Sequence, residues 1–120
     1  MQSILIIDDD KMFCSILKEE LEEVGYNADF VNSGIEALEY LSRNSAELVF
    51  LDLKMPEMDG LEVLKAFEER NIKTKVIVLT GYADIEAAVD PERMVTEDFI
   101  TKPYDFDELL ITIRRVLQKE

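Results

Sequence analysis

Five short runs of apolar residues punctuate the chain, and each ends where the pattern turns polar. Ser3–Ile7 leads into Asp8-Asp9-Asp10, Leu48–Leu51 ends on Asp52, and Lys75–Thr80 closes on Thr80-Gly81. Asn27–Val31 is weaker and reads as an edge strand, and Asp98–Thr101 runs into Lys102-Pro103. Unbroken apolar runs of this length predict strands buried on both faces, as in a parallel sheet.

The segments between them change to a helical period. Lys11–Val24 places Phe13, Leu17, Leu21 and Val24 on one stripe, with Gly25 as its stop. Ser33-Gly-Ile-Glu36 is a capping box that opens a helix to about Asn44. Asp59 and Glu62 cap a third helix, expected to pack Leu61, Leu64 and Phe67. Asp84–Val89 begins a fourth, which Pro91 should kink or restart near Asp90. From Asp105 a last helix carries Phe106, Leu109, Leu110, Ile113, Val116 and Leu117. Its acids, Asp105 and Glu108, lie at the start, and Arg114, Arg115 and Lys119 lie near the end, matching the helix dipole. Strand and helix thus alternate about five times, which predicts an α/β fold with both sheet faces covered. With no linker or repeat, residues 1–120 read as a single domain.

Charge narrows the function. A net charge of −14 repels nucleic acid and anionic lipid. No apolar run is long enough to span a bilayer, and no basic leader precedes the first strand. Cys14 is the only cysteine and there is no histidine, so disulfide frameworks, thiolate clusters and histidine chemistry are all excluded. A cytoplasmic protein fits best.

What remains is a set of polar residues at strand ends: Asp8, Asp9, Asp52, Thr80 and Lys102. In a flavodoxin-like order, 2-1-3-4-5, the first and third strands are neighbours at the switch point, so three carboxylates would converge. Unpaired, they would raise one another's pKa values. A hard cation with oxygen ligands, Mg²⁺ (or Mn²⁺), relieves that repulsion. A carboxylate can attack phosphorus to give an aspartyl phosphate, while a lysine and a hydroxyl hold the remaining oxygens. Asp10, immediately before Lys11, is assigned to capping the first helix rather than to the metal.

Taken together, Ile4-Leu-Ile-Ile-Asp8-Asp9-Asp10, Leu51-Asp52-Leu-Lys-Met-Pro56-Glu-Met-Asp59-Gly60, Leu79-Thr80-Gly81 and Asp98-Phe-Ile-Thr-Lys102-Pro103 resemble the response-regulator receiver domains of two-component signalling. The resemblance runs over essentially the whole chain. It implies a (βα)5 three-layer sandwich with a parallel sheet in the order 2-1-3-4-5. It also implies Asp52 as phosphoacceptor, with Asp8, Asp9, Asp52 and the Lys54 backbone carbonyl as metal ligands. Thr80 would move to the phosphoryl oxygen, Lys102 would pair with it, and Phe99 would be the aromatic switch. The Lys102–Pro103 bond would be cis. Lys54 and Tyr82 occupy the places that tune phosphoryl lifetime, and Met12 with Tyr104 is assigned to a kinase-docking surface.

The implied partners are a sensor histidine kinase or phosphotransfer protein and an output domain or effector. The change at Thr80 and Phe99 would reach them through the face formed by the fourth helix, fifth strand and last helix. Such a domain catalyses only its own phosphorylation and dephosphorylation. One stretch departs from the pattern: Asp90-Pro-Glu-Arg-Met-Val-Thr-Glu97 stands where relatives run a regular helix into Gly-Ala. Two alternatives are carried. One is a receiver that binds partners without phosphorylation. The other is a haloacid-dehalogenase-type phosphatase, whose Asp-x-Asp-x-Thr/Val signature fails at Met12.

Overall fold

A computed structural model describes residues 2–81 and 96–118. Strands β1 (Ser3–Ile7), β2 (Asn27–Val31), β3 (Leu48–Leu51), β4 (Lys75–Gly81) and β5 (Asp98–Lys102) form one parallel sheet in the order β2-β1-β3-β4-β5. The described helices are α1 (Lys11–Glu23), α2 (Gly34–Arg43), α3 (Gly60–Glu69) and α4 (Phe106–Gln118). The helix expected from Asp84, its break at Pro91, and Tyr82 lie outside the described residues.

The apolar runs behave as their composition requires. Alternate residues of each central strand enter opposite cores, so β1 and β3 are buried on both sides. Ile4, Ile6, Leu48, Phe50, Ile77 and Leu79 meet α1 and α4 on one face. Leu5, Ile7, Val49, Leu51 and Val76 meet α2 and α3 on the other. β2, of which only Ala28 is buried, lies at the sheet edge as its weaker pattern predicted.

Helix starts follow their caps. Asp10 accepts from the Phe13 amide, Ser33 from that of Glu36, and Asp59 from that of Glu62 in a complete capping box. Two buried faces differ from the expected stripes. In α1 the buried residues are Cys14, Leu17 and Leu21, whereas Val24 is 47% exposed because it is the C-cap, past the last helical turn. In α3 they are Gly60, Val63, Ala66 and Phe67, with Leu61 and Leu64 only half-buried. Val63 lies within the core that includes Ala37, Val49 and Leu51, and Leu64 packs at its margin.

The register brings the carboxyl ends of β1, β3, β4 and β5 to one edge. Ile7 lies beside Leu51, and the Asp52 amide donates to the Ile7 carbonyl at 3.0 Å. Thr80 lies beside Thr101, one residue before Lys102.

Candidate phosphoacceptor site

At that edge Asp8, Asp9 and Asp52 each present a carboxylate oxygen, all within 4.8 Å of one another. Asp8 and Asp52 are buried, at 2% and 7% exposed, and Asp9 faces solvent. Charges so placed are costly unless paired, and the two buried ones are. Asp8 Oδ1 accepts from the Asp10 amide at 3.0 Å, and its Oδ2 from Lys102 Nζ at 2.6 Å. Asp52 Oδ1 accepts from the buried Thr80 hydroxyl at 2.6 Å and from the Lys54 amide at 3.3 Å. Lys102 Nζ stands 3.6 Å from Asp52 Oδ2, so one ammonium bridges two carboxylates.

Burial pushes the Asp8 carboxyl above the ordinary aspartate value, and the bonds from Lys102 and the Asp10 amide only partly offset it. For Lys102 burial alone would lower the pKa, but the bond to Asp8 and the Asp52 charge outweigh it and hold the ammonium protonated. Burial thus disfavours the charged form of Asp8. The cluster's donor set, hard oxygens from three carboxylates, fits a small divalent cation such as Mg²⁺.

The loop beyond Asp52 is shaped around it. A Cβ at Gly60 would lie 2.5 Å from the Asp52 carbonyl oxygen and 2.7 Å from Leu53 Cα. Glu57 takes a positive φ of 67°, uncommon for a residue with a side chain. Asp10 caps α1, as its sequence position predicted. The Lys102–Pro103 bond is cis, as the resemblance implied.

Other expected residues lie further out. Phe99 is half-buried on β5, beside Val78, and lines a cleft of about 290 Å³ with Tyr104, Leu109 and Thr112. Met12 is 74% exposed, but Tyr104 is half-buried and its hydroxyl donates to Glu20, so the two differ in availability. Cys14 is fully buried, and burial, followed by the Asp8 charge, pushes its thiol up to about 12. At neutral pH it is no nucleophile.

Two neighbours escaped the sequence reading. Asn32 Nδ2 donates to the Asp8 carbonyl at 2.9 Å, tying the β2–α2 loop to the cluster. Lys102 Nζ sits 4.3 Å from the centroid of the Phe13 ring. Phe13 fitted the apolar stripe of α1, and Asn32 carries no pattern beyond its place after β2, so neither drew notice.

Residues 4–114 match the response regulator receiver domain. The transcriptional regulatory protein ZraR of Escherichia coli K12 is 39% identical over 114 residues, covering 95% of this chain and 26% of that protein. The transcriptional regulatory protein PcoR of Escherichia coli is 32% identical over 119 residues, 99% of this chain and 53% of that one. This chain thus spans about a quarter to a half of the length of these relatives. Among solved structures, the Francisella response regulator 1452 receiver domain has a TM-score of 0.87 at 30% identity, covering 98% of each chain. Response regulator TrrA of Thermotoga maritima, solved in complex with Mg²⁺-BeF, has a TM-score of 0.85 at 33% identity, covering 97% of this chain and 99% of that one.

The chain belongs to the response regulator receiver domain family. It is a phosphoacceptor regulatory module of two-component signalling with a flavodoxin-like fold, rather than a true enzyme. Among the described residues no helix is long and apolar enough to cross a membrane.

Proposed function

We propose that this chain is a Mg²⁺-dependent signalling switch that accepts a phosphoryl group on Asp52 from the phosphohistidine of a sensor kinase or phosphotransfer protein. A carboxylate oxygen of Asp52 bonds to phosphorus, the P–N bond breaks, and the imidazole nitrogen keeps the electron pair. Asp8, Asp9, Asp52 and the Lys54 carbonyl would hold the cation, which supplies charge neutralisation between nucleophile and phosphoryl oxygens. Lys102 moves its ammonium from the Asp8–Asp52 bridge to a phosphoryl oxygen. Thr80 exchanges its bond to Asp52 Oδ1 for one to the same group. That movement vacates space beside β5, and Phe99 shifts inward, biasing two packings of the face that β5 and α4 form.

The observation that supports this reading most is the shared ammonium. Lys102 lies 2.6 Å from Asp8 and 3.6 Å from Asp52, beside a buried hydroxyl already bonded to the acceptor. Lys54 and Tyr82 would set how long the phosphoryl group survives, which the adduct's decay in Tyr82→Ala would measure. We take residues 1–120 as one receiver unit acting in the cytoplasm. Because its relatives are longer and named as transcriptional regulators, an output domain or effector protein would read the switch.

Incubation with Mg²⁺ and acetyl phosphate, followed by intact mass, tests this. The reading expects one added phosphoryl group in the parent and none in Asp52→Asn or in chelator. A parent that acquires no adduct would favour a receiver that binds its partners without phosphorylation.

A further inference from the structure

Lysine is a flexible point charge on a four-carbon stem, and nothing in its own covalent structure fixes where the ammonium rests. Here three groups meet it. Asp8 and Asp52 attract the ammonium, and the ring of Phe13 lies 4.3 Å from Nζ. The face of an aromatic ring carries negative partial charge and attracts a cation.

The ring is itself braced. Phe13 is anchored at the start of α1 by its amide, which donates to the Asp10 cap at 3.0 Å. Tyr104, two residues beyond Lys102, meets the Phe13 ring edge-on, with centroids 5.8 Å apart and planes at 84°. The Tyr104 hydroxyl in turn donates to Glu20, two turns further along α1. Phe13 is half-buried and packs at the margin of the core that Cys14, Leu17 and Leu21 enter, so its ring both closes that core and meets the Lys102 ammonium.

We propose that Phe13, braced by Tyr104 and Glu20, is a positioning residue that holds the Lys102 ammonium against the acidic cluster. It restricts a long side chain to the short path between Asp8 and Asp52. When a cation takes Asp8, the ammonium is then already beside the acceptor. The ring touches neither acceptor nor phosphoryl group and acts only through Lys102. The consequence for phosphorylation rests on the assignment of Asp52 as acceptor; the placement of the ammonium does not.

The test compares the full chain with Phe13→Leu, which keeps apolar bulk but has no ring, and Phe13→Tyr, which keeps the ring. Proton NMR of the Lys102 ε-methylene reads the contact directly. Its signals should be shifted upfield by the ring in the parent and in Phe13→Tyr, and should return to ordinary lysine values in Phe13→Leu. With acetyl phosphate and Mg²⁺ at a temperature where all three are folded, Phe13→Leu should be phosphorylated about threefold to tenfold more slowly, and Phe13→Tyr at about the parental rate. Ordinary ε-proton shifts in the parent, or a Phe13→Leu rate equal to the parent's, would overturn the proposal. If the parent itself acquires no phosphoryl group, the acceptor assignment fails, and the ε-proton shifts alone then decide whether Phe13 holds the ammonium.

Discussion

Gly60 has no room for a side chain, because the backbone of Asp52 and Leu53 occupies the space where a Cβ would go. Gly60→Ala must push back the loop that carries the acceptor. It should destabilise the fold by about 1–3 kcal/mol, the usual range for overpacking, as read from urea unfolding. The same variant should also take up phosphate more slowly, since Asp52 itself is displaced. Residue identity made part of this site legible. An acid closing a four-residue apolar strand has little structural reason to be there, and Asp8, Thr80 and Lys102 occupy equivalent strand ends. Contacts were less legible than positions. That Lys102 would bridge Asp8 and Asp52 while resting on Phe13, or that Glu57 would take a positive φ, depends on how loops from separate strands meet.

Among the elements, the strands were read closely and the helix faces less so. A continuous apolar run admits few alternatives to a buried strand, so β1, β3 and β4 fall within one residue of their expected limits. A helix face depends on phase and on where the helix ends, and a stripe of apolar residues can be displaced by one position and still look regular. The expected α1 stripe contained both Leu21 and Val24, but Leu21 is fully buried whereas Val24 is the exposed C-cap. Leu21→Ala should therefore cost about 2–5 kcal/mol, while Val24→Ala should stay within about 0.5 kcal/mol of the parent. Chemical denaturation of the two variants distinguishes the observed helix end from an apolar stripe that runs on through Val24, for which both substitutions would be costly.

Across the whole molecule, the buried acid cluster sets stability against function. Asp8 keeps its proton to higher pH in the folded chain than in the unfolded one, where its value is near 3.8. As pH rises through the interval between the two values, the unfolded state ionises first, and stability is lost. In chelator, the melting temperature of the parent should fall relative to Asp8→Asn as pH rises from below 3.8 towards neutrality. Mg²⁺ should raise the parent relative to Asp8→Asn, by about 2.7 kcal/mol at a hundredfold excess over its dissociation constant. A gap between the two proteins that ignores both pH and Mg²⁺ would show that Asp8 neither carries this cost nor binds the ion.

The acidic cluster, the lysine and the threonine all converge on one carboxylate, and the account requires that the phosphoryl group be found there. Borohydride reduces an acyl phosphate to the alcohol, so an aspartyl phosphate is converted to homoserine that survives proteolysis. After incubation with acetyl phosphate and Mg²⁺, reductive trapping and peptide mass mapping should place homoserine at position 52 and nowhere else. Homoserine at Asp8, Asp9 or another acid, or no homoserine in a protein that binds Mg²⁺, would contradict the account.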